Sequence, residues 1–217
     1  MENLNADKKV LVTGASGGIG RAIAVEAAKA GYYVICHYNG NQAKAEETLS
    51  IIKENGGEGE LIKFDVSDRA DCKAKLDEMT AKHGVLWGVV NNAGITRDNT
   101  FAALSGEDWD KVIHTNLDSF YNVLNPLIMP MASRKNKRGG RIITISSVSG
   151  IGGNRGQSNY SASKAGLIGA LRYTYTSFAT SLEYPVAFEI AHMRAPACHR
   201  NQSCEYVCVH FHTYGRF

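Results

Sequence analysis

The 217-residue sequence lacks several features that would mark particular classes of protein. It has no apolar run near the roughly 20 residues that a membrane-spanning helix needs. Its polar start, residues 1–7, lacks the apolar core of a signal peptide. Its net charge of +3 is too small to indicate binding to nucleic acid or to an anionic membrane. The 5 cysteines have no framework spacing, so we expect free thiols in a soluble cytoplasmic protein.

Apolar runs alternate with helical patterns along most of the chain, and this alternation predicts the fold class. Strands are predicted over residues 10–12, 32–37, 61–64, 85–90 and 141–145. Helices are predicted over residues 22–30, 41–55, 68–83, 105–131 and 159–178. Strands separated by helices indicate parallel strands joined by right-handed crossovers. We therefore expect an α/β protein with a doubly wound parallel sheet.

A glycine-rich turn joins the first predicted strand to the first predicted helix. It contains Gly14, Ser16, Gly17, Gly18, Ile19 and Gly20. Glycines let the backbone turn sharply and approach a ligand, and the start of a helix attracts phosphate. The turn predicts binding of a dinucleotide through its pyrophosphate, although an ordinary tight turn is the alternative.

Asn116 lies on the apolar stripe of the long helix predicted over residues 105–131. An inward-facing polar side chain is unfavourable unless it is hydrogen-bonded. Asn116 is therefore either a satisfied core asparagine or a residue that holds a water or a backbone kink near the site.

Tyr160 and Lys164 are spaced to share one face of a helix, and Ser147 ends the strand before them. A nearby ammonium favours the phenolate, so we expect Lys164 to lower the pKa of Tyr160 and make it a proton donor. The hydroxyl of Ser147 could bond the same carbonyl oxygen. The alternative is a surface tyrosine and a solvated lysine.

Taken together, these motifs resemble the short-chain dehydrogenase/reductase family. The motifs, in chain order, are Thr13-Gly14-x-x-x-Gly18-x-Gly20, Asp65, Asn91-Asn92-Ala93-Gly94, Asn116, Ser147 and Tyr160-x-x-x-Lys164. The segments at residues 140–148 and 156–169 look most like those of 3-oxoacyl-(acyl carrier protein) reductases. The resemblance covers about residues 8–170 and implies a Rossmann-type sheet.

The resemblance also implies a role for each matching residue. Tyr160 would donate a proton to the substrate carbonyl, Ser147 would orient that oxygen, and Asn116 would support a water relay. Lys164 would lower the pKa of the tyrosine and hold the nicotinamide ribose. The reaction implied is hydride transfer from the cofactor to a 3-oxoacyl thioester. The cofactor-binding residues expected are Gly14, Ser16, Gly17, Gly18, Ile19, Gly20, His37, Asp65, Val66, Asn92, Ala93, Gly94, Tyr160 and Lys164.

The end of the second predicted strand bears on the choice of cofactor. An acidic residue there would bind a ribose 2′-hydroxyl and repel a 2′-phosphate. This sequence has His37-Tyr38-Asn39 instead, and Ser16 could meet a phosphate. We therefore expect NADP(H).

Two surfaces suggest partners. The basic loop at residues 134–138 is either a solvated loop or a docking patch for an acidic acyl carrier protein. Family members are usually tetramers through the two long helices, so the resemblance implies a homo-oligomer, either a dimer or a tetramer.

After about Leu171 the sequence departs from the family pattern. Family members carry a sixth strand with a Pro-Gly turn, a substrate lid and a seventh strand, none of which is recognisable here. We expect a catalytic domain at residues 1–170 and an atypical tail at residues 171–217, with the C-terminal strands missing or replaced. A change of reading frame near codon 171 would explain such a tail. Cysteines and histidines crowd there, but without zinc-site spacing, so no metal is expected.

This departure leaves three functions open. The chain is a 3-oxoacyl reductase, a reductase of another small ketone, or an inactive NADP-binding product.

Overall fold

The computed structural model describes residues 5, 7–133, 139–179, 186–193 and 210–214. The strands are β1 (Lys9–Val12), β2 (Tyr33–Tyr38), β3 (Gly59–Lys63), β4 (Gly88–Asn91), β5 (Gly140–Ser147), β6 (Val186–Met193) and β7 (His210–Tyr214). The α-helices are α1 (Gly18–Lys29), α2 (Gln42–Glu54), α3 (Arg69–His83), α4 (Gly106–Ile113), α5 (Ser119–Ala132), α6 (Ser149–Gly152) and α7 (Ser158–Ala179).

The strands form one sheet in the order β3-β2-β1-β4-β5-β6-β7. Neighbours from β3 to β6 run parallel, and β7 runs antiparallel to β6. The predicted doubly wound parallel sheet is therefore confirmed. The strand order reverses beside β1, so the loops after β1 and β4 diverge and leave a crevice at the carboxyl edge, where such sheets bind ligands.

Two layers of helices cover the sheet because the strands are apolar on both faces. In β1, Leu11 joins a core cluster that includes side chains from α3, α5 and α7. Its neighbours Val10 and Val12 join the opposite cluster with α1 and α2. This two-sided burial fixes β1 in the middle of the sheet and places its glycine-rich end in the crevice.

Two strands follow β5 in the described part of the chain. β6 pairs with β5 from Gly140↔Val186 to Ser147↔Met193, and β7 pairs with β6. Strands thus occupy both positions after β5, so they are replaced rather than missing. The boundary predicted at residue 170 falls inside α7 and stays a prediction.

Two other sequence features lie outside the described residues. These are the basic loop at residues 134–138 and the tail cysteines Cys198, Cys204 and Cys208.

None of the helices in the described part of the chain combines the length and apolar character required to span a bilayer.

Candidate functional site

The glycine-rich turn after β1 is tightly folded on itself. Gly14 and Gly18 have φ angles of 68° and 54°, in the left-handed region that favours glycine. A Cβ on Gly20 would lie 2.2 Å from the carbonyl oxygen of Gly14 and 2.6 Å from Nδ2 of Asn92. The turn therefore needs a residue without a side chain at position 20.

The first turn of α1 faces open space. A Cβ on Gly17 or Gly18 would meet no atom within 4 Å. No side chain caps the helix, and its first turn contains no acidic residue. Unsatisfied N–H groups at the positive end of a helix dipole suit a phosphate, so these residues fit a dinucleotide.

His37, near the end of β2, supports this turn through a hydrogen bond. Its Nδ1 accepts the N–H of Gly14 at 3.0 Å, and its Nε2 donates to the carbonyl of Phe64 at 3.0 Å. Burial lowers the pKa of His37 to about 4, against a weaker opposing effect of the Phe64 carbonyl, so the ring is neutral. Both ring nitrogens are used within the chain. His37 therefore supports the turn, and its predicted contact with a cofactor stays a prediction.

Asn92 and Thr13 fix the turn to the loop after β4. Nδ2 of Asn92 donates to the carbonyl of Thr13 at 2.9 Å. The hydroxyl of Thr13 accepts the N–H groups of Asn92 and Ala93 at 2.9 and 3.0 Å. These contacts hold the two walls of the crevice in one arrangement.

Helix α2 braces the turn from the opposite side. The guanidinium of Arg21 donates to the carbonyls of Ser16 and Lys44, both at 3.1 Å, and forms an ion pair with Glu47. The hydroxyl of Thr48 donates to the carbonyl of Ala15 at 2.9 Å. This bracing orients the start of α2 toward the turn.

The crevice consists of two adjoining clefts of about 580 and 590 Å³. They share six lining residues, namely Gly14, Ser16, Asn41, Ala93, Gly94 and Ile95. The first cleft is also lined by Gly17, Ile19, Gly20, Asn92, Tyr160 and Lys164. The second is also lined by His37, Asp65 and Val66. Of the predicted cofactor residues, Gly18 alone lines neither cleft. Together the two clefts provide room for a dinucleotide.

Tyr160 and Lys164 lie one turn apart on α7 at the wall of the first cleft. Nζ of Lys164 is 5.6 Å from the centre of the Tyr160 ring and donates to the carbonyl of Ile145 at 2.8 Å. Lys164 is 4% exposed, and burial lowers its pKa to about 8. The cation therefore sits behind the tyrosine, fixed to the end of β5.

The expectation of a lowered pKa for Tyr160 is not met in this arrangement. Burial raises the pKa of Tyr160, because it disfavours the phenolate. A hydrogen bond with Ser147 acts in the opposite direction, and the carboxylate of Asp98 raises the pKa further. Tyr160 is therefore protonated at neutral pH.

Asn116 lies in a five-residue π-helical segment, His114–Asp118, between α4 and α5. Its Oδ1 accepts the N–H of Ile95 at 2.8 Å, and its Nδ2 donates to the Ile95 carbonyl at 3.0 Å and to Oγ of Ser163 at 3.1 Å. Such bulges are frequent at functional sites. Asn116 ties the loop after β4 to α7, behind Tyr160 and outside both clefts.

The sequence reasoning missed several residues that shape the crevice. Asn41 and Lys44 line the cleft wall, and Asp98 and Gln157 lie beside Tyr160. For Asn41 a signal was present, because its side chain accepts the N–H of Lys44 as an N-cap at the start of a clear helical pattern. For Asp98 and Gln157 no local pattern exists, since their contact joins two loops that are distant in sequence.

Comparison with known proteins identifies relatives of this chain. The sequence profile of the short chain dehydrogenase family matches residues 8–181. The chain is 51% identical over 163 residues to 3-oxoacyl-acyl-carrier-protein reductase FabG of Aggregatibacter actinomycetemcomitans, covering 75% of this chain and 66% of that one. It is 44% identical over 162 residues to FabG of Staphylococcus aureus strain Mu50, covering 75% and 65%. It is 43% identical over 175 residues to Nodulation protein G of Azospirillum brasilense, covering 81% and 70%. The chain thus spans about two thirds of the length of the two reductases.

Proposed function

The chain belongs to the short-chain dehydrogenase family, and we propose that it reduces the ketone of a 3-oxoacyl thioester with NADPH. The observation that carries this proposal is that Tyr160 and Lys164 line the same cleft as the open glycine-rich turn. A proton donor thus faces the space that a dinucleotide bound at the turn would enter. The names of the two reductases, which share 51% and 44% identity, support the substrate class.

In this proposal the residues of the chain divide the proton chemistry among them. The cofactor, when bound, supplies the hydride for the carbonyl carbon. Tyr160 is a protonated phenol, and it donates its proton to the carbonyl oxygen as general acid. The hydroxyl of Ser147 bonds the same oxygen, and its own Oγ is held by the N–H of Ser149 at 3.1 Å. Lys164 stabilises the phenolate left behind and is placed to bind the ribose, while Asn116 supports the relay that restores the proton.

The composition of the second cleft supports NADPH over NADH. At the end of β2 the wall consists of Tyr38, Asn39, Gly40 and Asn41, without a carboxylate to repel a 2′-phosphate. Lys44 and Ser16 line the adjoining cleft and offer a cation and a hydroxyl. Asp65, in the same wall, already accepts from the backbone and the hydroxyl of Ser67 at 2.8 and 2.7 Å. Lys44 and Ser16 therefore favour a phosphate bound near the start of α2.

Two partners follow from the proposal. The acyl group would arrive on a carrier protein, and the basic loop at residues 134–138 would dock it. Exposed apolar side chains on α5 and α7, namely Tyr121, Met129 and Tyr173 at 51%, 66% and 75% exposure, support a homo-oligomer formed through these helices.

The test is oxidation of NADPH in the presence of an acetoacetyl thioester, followed by absorbance. We expect turnover that falls by about 100- to 10,000-fold in Tyr160→Phe, the range of general acid catalysis. Affinity for 2′,5′-ADP should not change, because the phenol hydroxyl does not bind that fragment. Equal turnover in both proteins would refute the role of Tyr160.

The same assay separates the alternatives. Turnover of other small ketones but not of acetoacetyl thioesters would favour a different reductase, which the similarity to Nodulation protein G keeps open. A folded chain that binds 2′,5′-ADP but reduces no ketone would be the inactive alternative. Charge reversal at Arg134 and Arg138 should raise KM for the carrier-bound substrate but not for a free thioester. An equal rise for both would exclude the docking role.

A further inference from the structure

Gln157, the residue before α7, contacts three segments at once. Its Nε2 donates to Oδ2 of Asp98 at 2.9 Å. Its Oε1 accepts from Nδ2 of Asn154 at 2.9 Å and from Oγ of Ser149 at 3.4 Å. A carboxylate accepts only, so the amide nitrogen must face Asp98, and the orientation of the Gln157 side chain is determined.

Two further hydrogen bonds join the same loops. The N–H of Asn99 donates to the carbonyl of Gly156 at 2.9 Å. Nδ2 of Asn159, a buried side chain, donates to the carbonyl of Arg97 at 3.0 Å. The loop that follows β4 and the loop that precedes α7 are therefore fastened along residues 97–99 and 156–159.

These loops carry the two halves of the site. Residues 93–97 of the first loop line the clefts. The second loop leads directly into Tyr160, and Ser149, which donates to Gln157, also donates its backbone N–H to Oγ of Ser147. Gln157 thus links the cleft wall to both Ser147 and Tyr160.

We propose that Gln157 is a positioning residue, paired with Asp98, that holds Ser147 and Tyr160 in register with the cofactor-binding wall. It touches none of the reacting atoms and acts through Ser149 and Asp98. This inference rests on the proposed function for its kinetic consequences, but the coupling of the two loops does not.

Asp98 adds an electrostatic effect to its structural one. Its carboxylate disfavours the phenolate of Tyr160. Other charged groups in the described part of this region include Lys164 on α7, the pair of Arg97 with Asp108 at 3.7 Å, and Arg155 on the second loop. Loss of the carboxylate alone should therefore lower the pKa of Tyr160, without displacing it if the hydrogen bond survives.

The test is a double-mutant cycle of Asp98→Ala and Gln157→Met, with Asp98→Asn as the conservative variant. We expect Gln157→Met to lower kcat about 10- to 100-fold, because small displacements of catalytic groups cost about this much. KM for NADPH should change by less than about 2-fold, since the glycine-rich turn and the start of α2 keep their contacts. The kcat of the double variant should be no lower than that of the poorer single variant, because both changes break the same contact between Asp98 and Gln157.

Asp98→Asn separates position from charge. Its amide oxygen can still accept from Gln157, so kcat at neutral pH should be restored to within about 3-fold of the parent chain. The basic limb of the pH profile should move to lower pH. Additive effects in the cycle, or a kcat in Gln157→Met equal to that of the parent, would overturn the proposal.

Hydrogen exchange provides a readout that does not require turnover. In Gln157→Met, the backbone amides of residues 97–99 and 156–160 should both lose protection, while those of α2 should not. If the parent chain reduces no ketone but exchange rises in both loops, the proposed function fails and the coupling stands. Unchanged exchange in both loops would overturn the coupling even in an active enzyme.

Discussion

Nδ1 of His37 lies 3.0 Å from the backbone nitrogen of Gly14 and accepts its hydrogen. This contact joins the end of β2 to the first residue of the glycine-rich turn. It requires a neutral ring, because a protonated imidazole has no acceptor. The ring is 2% exposed, so protonation would also place an unsolvated charge in the core.

Stability should therefore fall in acid. The pKa of His37 is lowered from 6.5 to about 4, so between these values the unfolded chain binds a proton that the folded chain does not. The loss should be on the order of 3 kcal/mol in the free energy of unfolding. Urea unfolding across this pH range should reveal it. His37→Gln has an amide oxygen for Gly14 and does not titrate, so its stability should change less. The same acid dependence in both proteins would exclude His37 as the cause.

Lys164 should produce a dependence of the same sign as that of His37, but at high pH. Burial lowers its pKa from 10.5 to about 8, so the unfolded chain binds the extra proton between these values and stability rises with pH there. Below about pH 8 Lys164 is protonated in both the folded and the unfolded chain, so the full cost of burying its ammonium reduces stability. Relative to Lys164→Met, the parent chain should gain on the order of 3 kcal/mol across this window in urea unfolding. A constant difference between the two proteins would contradict the burial of the ammonium.

The glycine-rich turn offers a matched pair of substitutions. Gly20→Ala would place a Cβ 2.2 Å from a backbone oxygen, so the turn must open. We expect a loss of about 3 kcal/mol in stability, at the upper end of overpacking, together with loss of 2′,5′-ADP binding. Gly17 has a φ of −179° and open space around it, so Gly17→Ala should stay within about 0.5 kcal/mol of the parent. Chemical unfolding measures the stability of both variants. Equal losses of stability would mean that the close contact at position 20 is not the cause.

Lys44 should select for the 2′-phosphate. Calorimetry with 2′,5′-ADP and with 5′-AMP isolates this group from the rest of the cofactor. Lys44→Gln should weaken the binding of 2′,5′-ADP by about 5- to 30-fold, because a charge-assisted contact is lost. The affinity for 5′-AMP should not change. Lys53→Gln, at the other end of α2 and away from both clefts, is the control. If both variants weaken 2′,5′-ADP equally, the effect is one of net charge.

Much of the fold could be predicted because its signals are local. The strand, turn and helix at residues 9–29 follow from an apolar run, glycine spacing and an alanine-rich pattern. The long helix predicted over residues 105–131 is present as α4 and α5, and the π-helical segment between them lies where a backbone kink at Asn116 was one of the alternatives. Asn116 in this segment forms hydrogen bonds with Ile95, a contact that periodicity does not encode. β6 and β7 were not predicted because their places are given by pairing, of β6 with β5 and of β7 with β6, rather than by a local pattern.

The sequence by itself determined which groups could perform the chemistry. The i, i+4 spacing put Tyr160 and Lys164 on one helix face, and the glycine spacing gave α1 an open first turn, because both depend only on backbone geometry within a short segment. The tertiary structure alone decided how those groups behave. Burial by distant segments raises the pKa of Tyr160 and makes His37 a support of the turn. The contact of Asp98 with Gln157 spans 59 residues of sequence, and only the packing of the two loops could bring it about.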